Sequence, residues 1–239
     1  MPDLTTDTKR CSVKFMSRVH KLREAEHMAA QLFQMVIDEG LLSAGKTELF
    51  ASDGIKDLAF ENFGVEKFWH KRIVRSGPNT VHPYRVNPEV RTFTDDDILF
   101  LDFGPVFSNW EADFGRTYVI GNDPIKLRLR NDAERIWNLG RGFAIANPNI
   151  KAHELYAFVS KEACDSGYVL GEQRHVGHLI GEFPHERIED DKVTSYLTAD
   201  NTLPLQRMDG AGNSWNWILE VHLVSPQHNI GSFFEQLLV

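Results

Sequence analysis

Two acidic residues lie in β-rich stretches of the sequence at a spacing that suits a β-hairpin. Asp102 follows the run ILFL and Asp113 precedes FGRTYVI, so a turn midway between them would fall near Phe107 and Ser108. Such a turn places the two aspartates directly opposite each other, with both side chains on one face of the sheet. Two carboxylates at such a short distance repel each other unless a cation lies between them.

A second pair follows the same pattern near the C-terminus. Glu220 lies in WILEVHLV and Glu235 in SFFEQLLV, and the polar stretch SPQHN lies between the two runs. A hairpin that turns within this stretch brings the two glutamates side by side. Both interrupt otherwise apolar strands, and a buried carboxylate requires a counter-charge or a metal ion.

Two carboxylate pairs and a histidine can hold two divalent cations about 3.5–4 Å apart, where the cations activate water and polarise a carbonyl. The histidine candidate is His178 in HVGHLIG, whose glycines suit a tight backbone at a crowded site. Taken singly, aspartates before turns are commonly turn formers, and strand glutamates commonly face solvent. Residue types and spacing alone therefore leave a purely structural interpretation open.

The remaining histidines and the tryptophans give weaker signals. His175 and His222 are candidates to line the same cleft, but a packing or surface role is the more common one. Five histidines give no chemical signal: His20, His27, His70, His153 and His228. Three tryptophans could wall a substrate pocket, although large aromatic side chains more often belong to the core: Trp110, Trp215 and Trp217.

Four helices and five strands are predicted to position these residues. The first helix follows from seven apolar positions at helical spacing: Leu22, Ala25, Ala29, Leu32, Phe33, Val36 and Ile37. Thr47 and Asp123 are N-cap candidates for the second and third helices, and the fourth covers residues 153–166. Strands are predicted at 73–76, 98–103, 116–120, 217–224 and 232–239. Short turns between the later strands favour antiparallel pairing and an α+β fold.

Composition limits the possible partners. The chain has 239 residues and a net charge of -8, which argues against nucleic acid or an anionic membrane as a main partner. Residues 1–18 are interpreted as a tail or arm before a single domain at 19–239. The N-terminus lacks the apolar core of a secretory signal, and the only cysteines are Cys11 and Cys164. A cytoplasmic, reducing environment is expected, with a single bridge between the two cysteines as the alternative.

The motifs resemble those of the pita-bread metallopeptidase superfamily, which includes methionine aminopeptidases, Xaa-Pro aminopeptidases, prolidases and creatinase. The superfamily's paired-aspartate hairpin is similar to DDILFLDFG and the following DFGRT. Its histidine motif is similar to GHLIG followed by PHE. In that motif a second histidine follows the first at a fixed spacing, and His185 stands at this spacing from His178. Glu220 and Glu235 match its two glutamate ligands. SGPN and the following His82 resemble the segment that carries its substrate-facing histidine. The residues SGPN are closer to those of the Xaa-Pro peptidases than to those of the methionine aminopeptidases.

This resemblance covers the catalytic domain only, from about residue 20 onward, and implies a pita-bread fold with two pseudo-symmetric halves of antiparallel sheet backed by helices. It implies two divalent metal ions, with manganese expected and cobalt, iron or zinc as alternatives. The implied ligands are Asp102, Asp113, His178, Glu220 and Glu235. Asp102 and Glu235 would bridge the metals, and Asp113 would chelate one of them. Glu220 would also move a proton, while His82 and His185 would hydrogen-bond the substrate.

The implied function is that of an aminopeptidase or dipeptidase acting on a small peptide, with Xaa-Pro bonds as candidate substrates. Two alternatives stay open: hydrolysis of a non-peptide C–N bond in a small molecule, as in creatinase-like relatives, and a metal-free binding module. A homodimer is expected by analogy. Leu179 stands where the superfamily usually has glycine and Val221 where it usually has proline, so the substrate is less defined than the metal site.

Overall fold

The structure is a computed structural model that describes residues 5–171, 174–185 and 193–238, with side chains described from Arg18 onward. Its helices are α1 (Thr5–Asp38), α2 (Glu48–Phe63), α3 (Pro124–Ala146) and α4 (Ala152–Asp165), with a short 3-10 helix at Gly77–Val81. None of the helices in these ranges is long and apolar enough to cross a lipid bilayer.

The predicted helix starts are confirmed by their caps. The Thr47 side chain accepts a hydrogen bond from the Phe50 N–H at the start of α2, and the Asp123 side chain accepts one from the Ile125 N–H at the start of α3. α1 begins at Thr5, so it includes most of the residues interpreted as a tail or arm. The domain boundary at residue 19 stays a prediction.

In the described part of the chain, eight strands form one antiparallel sheet. Two further strands, β3 (Val106–Phe107) and β4 (Trp110–Glu111), form a separate ribbon. The strands of the sheet are β1 (Ile73–Ser76), β2 (Asp97–Phe103), β5 (Phe114–Ile120), β6 (Val169–Leu170), β7 (His175–Ile180), β8 (Tyr196–Thr198), β9 (Asn216–Ser225) and β10 (Ile230–Leu237). The order in the sheet is β1-β2-β5-β10-β9-β7-β8, with β6 also paired to β9. The predicted α+β class is confirmed.

Helices cover one face of this sheet in two groups. Apolar side chains of α1 and α2 pack with Leu99 and Leu101 of β2, whereas those of α3 and α4 pack with Leu219 and Val221 of β9. Because side chains alternate along a strand, the intervening residue Glu220 points to the other face. Each half of the sheet is therefore backed by its own pair of helices, which leaves the opposite face for a site.

One residue of the predicted helical core stripe is not buried, and one alternative kept open from sequence is ruled out. Ile37 is 40% exposed, because Val36 occupies the inward-facing position just before α1 ends at Asp38. Cys164 is a free, exposed thiol, which contradicts the alternative of a bridge to Cys11.

The register of the first hairpin also differs from the prediction. Asp102 lies opposite Gly115 rather than Asp113. The turn falls at Ser108 and Asn109, which both have left-handed backbone conformations with φ of 48° and 70° and connect β3 to β4. Such a two-residue turn suits the twist of a hairpin. It is centred one residue later than predicted, which shifts the pairing by two residues and keeps Asp113 on the same face as Asp102.

Candidate metal centre

A row of residues crosses four neighbouring strands on the open face of the sheet. Asp102 of β2 lies opposite Gly115 of β5, Gly115 lies opposite Glu235 of β10, and Glu235 lies opposite Glu220 of β9. Directly opposed residues share a face, so the row gathers three carboxylates. The predicted pairing of Glu220 with Glu235 is confirmed.

Gly115 keeps this row open. A Cβ atom at this position would lie 2.5 Å from the Phe233 ring and 3.0 Å from the Cβ of Glu235. Any side chain would therefore displace Phe233 or Glu235. The glycine leaves the space between the carboxylates of Asp102 and Glu235 free of protein atoms from its own strand.

Asp113 and His178 complete the group that was predicted from sequence. Asp113 lies just before β5, and its Oδ2 is 3.0 Å from Nε2 of His178. The same Nε2 is 3.9 Å from Oε1 of Glu235. All five predicted ligands thus lie together on the open face, and one donor atom each from Asp113, His178 and Glu235 lie within 4.8 Å of one another.

The backbone next to His178 is unusually crowded. Gly177 has a φ of 151°, and a Cβ there would lie only 2.0 Å from the carbonyl oxygen of Ile218 on β9. The ring is fixed by its other nitrogen, because Nδ1 donates a hydrogen bond of 2.8 Å to the carbonyl oxygen of Leu179. This leaves Nε2 directed at the carboxylates, which is the usual arrangement of a metal-binding histidine.

The carboxylates are buried and incompletely paired, so the residues fit divalent cations. Glu235 is only 2% exposed, and its Oε2 has no hydrogen-bond partner among the described residues. Burial and the charges of Asp113 and Asp102 raise the pKa of Glu235 well above its usual value. Burial also raises the pKa of Asp102 to about 7, against the opposing charge of His70. A buried cluster of this kind needs positive charge to stay ionised.

His70 belongs to the site, and its dismissal at the level of sequence was wrong. Its Nε2 is 3.0 Å from Oδ1 of Asp113 and 3.5 Å from Oδ1 of Asp102. The pairing of β1 with β2, which sets Ile73 opposite Asp102, brings His70 to this position. No local motif marks that long-range pairing.

His175 also reaches the site, contrary to the packing or surface role judged more common for it. Its Nδ1 lies 2.7 Å from Oε1 of Glu220. Burial alone would raise the pKa of Glu220, but the adjacent His175 lowers it below its usual value. His222 is buried, and its Nε2 lies 2.7 Å from the carbonyl oxygen of Thr80, which supports a packing role. It also lines the cavity that opens onto the carboxylates, as considered for it from sequence.

A cavity of about 480 Å³ opens onto the carboxylates. His82 and His185, the two predicted substrate-facing histidines, both line it, as does Leu179. The residues that line it also include Tyr84, Arg85, Arg174 and Tyr196. The three tryptophans considered as pocket walls lie in or against the core, which was judged the more common position for them. Trp69 lines the cavity instead.

Glu111 holds His185 in place, a role that sequence reasoning missed. Glu111 is 1% exposed, and its Oε2 lies 2.7 Å from Nδ1 of His185. It also accepts hydrogen bonds from the main-chain N–H groups of His185 and Gly181. The histidine ring is thus oriented by one carboxylate, with Nε2 left for the cavity.

Comparisons with known proteins agree with this geometry. The model of metallopeptidase family M24 matches residues 20–209. The Xaa-Pro dipeptidase of Pyrococcus furiosus is 24% identical over 178 residues, which is 73% of this chain and 49% of that protein. The Xaa-Pro dipeptidase of Pyrococcus horikoshii is 24% identical over 73% of this chain and 48% of its own. The chain spans about half the length of these curated relatives.

Solved structures show the same fold. The prolidase from Thermococcus sibiricus superposes with a TM-score of 0.72 at 22% identity, over 92% of this chain and 55% of that one. The X-Pro aminopeptidase from Thermotoga maritima gives 0.73 at 19% identity, over 97% of this chain and 64% of that one. The predicted pita-bread fold is confirmed. Since the family model covers most of the sequence, this chain belongs to metallopeptidase family M24.

Proposed function

We propose that this chain is a two-metal hydrolase that removes the N-terminal residue from a small peptide. The observation that carries this proposal is the row Asp102, Glu235 and Glu220 on one sheet face, closed by Asp113 and His178. The Xaa-Pro dipeptidases among its relatives support an Xaa-Pro dipeptide as the substrate class. The size of the cavity, about 480 Å³, suits a ligand of that kind.

In this proposal the five side chains hold two divalent cations, and the oxygen-rich set with an imidazole favours manganese over cobalt, iron or zinc. When bound, the cations lower the pKa of water and polarise the scissile carbonyl. The adjacent His175 lowers the pKa of Glu220, which keeps the carboxylate ionised. Glu220 is the proton carrier in this proposal and would accept a proton from water. It then returns that proton to the leaving amine.

The two cavity histidines bind the substrate. His185, oriented by Glu111, presents Nε2 to the substrate carbonyl region. His82 lines the cavity from the segment after the 3-10 helix, and its own carbonyl accepts a hydrogen bond from the Arg75 guanidinium, which ties that segment to β1. Leu179 fills room that a glycine would leave open, and so favours short substrates. A cytoplasmic location and a homodimer remain predictions.

The direct test is hydrolysis of a panel of Xaa-Pro and Xaa-Ala dipeptides, Met-initiated peptides and creatine-like small molecules, followed by mass spectrometry. The protein is stripped of metal and reloaded with manganese, and Asp113→Ala serves as the inactive control. Cleavage of dipeptides by the wild type alone supports the proposal. Cleavage of only the small molecules assigns the alternative C–N hydrolase, and a wild type that binds no metal assigns the binding module.

Metal loading is expected to release protons. Burial opposes protonation of His178, but the hydrogen bond and charge of Asp113 raise its pKa to about 9, so the ring is protonated at pH 7 in metal-free protein. A metal ligand must be unprotonated, and Glu235, whose pKa is also raised, must lose any proton it holds. Manganese affinity should therefore increase with pH up to about 9. Calorimetry in buffers of different ionisation enthalpy measures the release, and identical heats in all buffers would contradict it.

Replacing Glu111 with glutamine is expected to lower kcat about tenfold and to raise KM, with metal content nearly unchanged. The substitution keeps the shape but removes the charged acceptor of two hydrogen bonds from His185 and one from the Gly181 N–H. Hydrogen bonds to charged groups contribute about 1.5–3 kcal/mol each. Steady-state kinetics together with elemental analysis check this result. The exposed Glu66→Gln variant is the matched control, and a Glu111→Gln variant with wild-type kcat would show that the carboxylate does not position His185.

A further inference from the structure

We propose that His70 is an additional metal ligand, which binds through Nε2 the cation held by Asp102 and Asp113. The inference rests on the two-metal function proposed above and deepens it. Ligand atoms that share one cation at about 2.0–2.2 Å lie no more than about 4.4 Å apart. The distances of 3.0 Å to Asp113 Oδ1 and 3.5 Å to Asp102 Oδ1 fall within that limit.

The other nitrogen of the ring supports this assignment. Nδ1 of His70 lies 2.7 Å from the main-chain carbonyl oxygen of Lys71, which can only accept a hydrogen bond, so Nδ1 donates. In the neutral ring this leaves the lone pair on Nε2, facing the two aspartates. Histidines that bind metals through one nitrogen commonly donate from the other to a carbonyl in this way.

His70 and His178 have the same arrangement on the two sides of Asp113. His70 faces Oδ1 and His178 faces Oδ2, each at 3.0 Å, and each ring donates from Nδ1 to the carbonyl oxygen of the following residue. Two groups of possible ligands result, and both contain Asp113: His70 with Asp102, and His178 with Glu235. Each cation would then have one imidazole. Asp113 would contact both cations, which differs from the single cation that the family resemblance implies for it.

The surrounding structure is shaped to hold the His70 ring. A Cβ at Gly104 would lie 2.2 Å from Cδ2 of His70 and 2.4 Å from Nε1 of Trp69, so only glycine leaves room for the pair. Trp69 donates from its main chain to the carbonyl of Gly104 at 2.8 Å and from Nε1 to the carbonyl of Ala112 at 2.9 Å. The side chain of His70 is 7% exposed. It is therefore fixed at the site by the same hairpin that carries Asp102 and Asp113.

The test compares the wild type with His70→Ala, His70→Gln and, as a control histidine outside the site, His153→Ala. Manganese and cobalt binding are titrated calorimetrically on the metal-stripped full chain, and the visible spectrum of the cobalt form reports nitrogen ligation. We expect both His70 variants to bind one of two cations at least about tenfold more weakly, with an altered cobalt spectrum. His153→Ala should match the wild type. Circular dichroism of the metal-stripped variants checks that they are folded.

The outcomes separate this inference from the proposed function. Two cations in the wild type and unchanged affinity and spectrum in a folded His70 variant would overturn the assignment of His70, and would leave the five-ligand hydrolase intact. His70 would then be only an ion-pair partner of Asp113 and Asp102. A wild type that binds no cation at all would overturn the proposed function itself. If His70→Ala is unfolded, the folded His70→Gln variant decides by the same two measurements.

Discussion

Replacing Asp113 with asparagine is expected to reduce turnover by about a hundredfold or more and to lower the metal content of the chain. The two oxygens of Asp113 contact His70 and His178, and both groups of possible ligands contain it. Loss of partners that only orient metal ligands already costs about 10–100-fold in affinity or activity. A side chain within the ligand set should therefore cost more. Activity on a cleaved dipeptide and elemental analysis of the same sample provide the measurement.

The matched control is Asp165→Asn. Asp165 lies at the exposed C-terminal end of α4, where its carboxylate pairs with Lys161. The chemical change is identical, but the position is remote from the site, so activity and metal content should equal those of the wild type. An Asp113→Asn protein that keeps both its metal content and its turnover would show that this carboxylate is not a ligand.

Replacing Gly177 with alanine is expected to cost about 3 kcal/mol or more in the free energy of unfolding. The new Cβ would lie 2.0 Å from the Ile218 carbonyl oxygen and 2.8 Å from Leu197 Cδ1, and the backbone φ of 151° is one that alanine rarely adopts. Overpacking and backbone strain cost about 1–3 kcal/mol each. β7 can relieve the clash only by moving away from β9, which also displaces His178. Denaturant unfolding of metal-free protein measures the change.

Gly142 supplies the control for this substitution. It lies within α3, and its backbone φ is not positive. The Cβ of an alanine at this position would have no neighbouring atom within 4 Å. Alanine there should leave stability unchanged or raise it by up to about 1 kcal/mol, because alanine favours helix over glycine. A Gly177→Ala protein as stable as the wild type would contradict the close approach of β7 to β9.

Local signals predicted much of the framework. Thr47 and Asp123 marked helix starts because an N-cap side chain acts within its own turn. The register of Glu220 with Glu235 followed from two apolar runs around one polar loop. The first hairpin was displaced because Ser108 and Asn109 adopt left-handed conformations that were not recognised as the turn.

The rest of the site depends on contacts between distant parts of the chain. His70 reaches Asp113 because β1 pairs with β2, and Glu111 reaches His185 across residues far apart in sequence. A histidine before a strand and a glutamate in a short strand have no local feature that marks such partners. Sequence motifs therefore predicted the five residues that lie together on the open face, whereas the residues that position or extend the site required the fold.

The measurement that tests the central claim most directly is anomalous diffraction from crystals of the manganese-loaded protein. We predict two peaks on the open face of the sheet, about 3.5–4 Å apart, contacted by Asp102, Asp113, His178, Glu220 and Glu235. Manganese bound elsewhere, or no peak beside these carboxylates at saturating metal, would contradict the two-metal account.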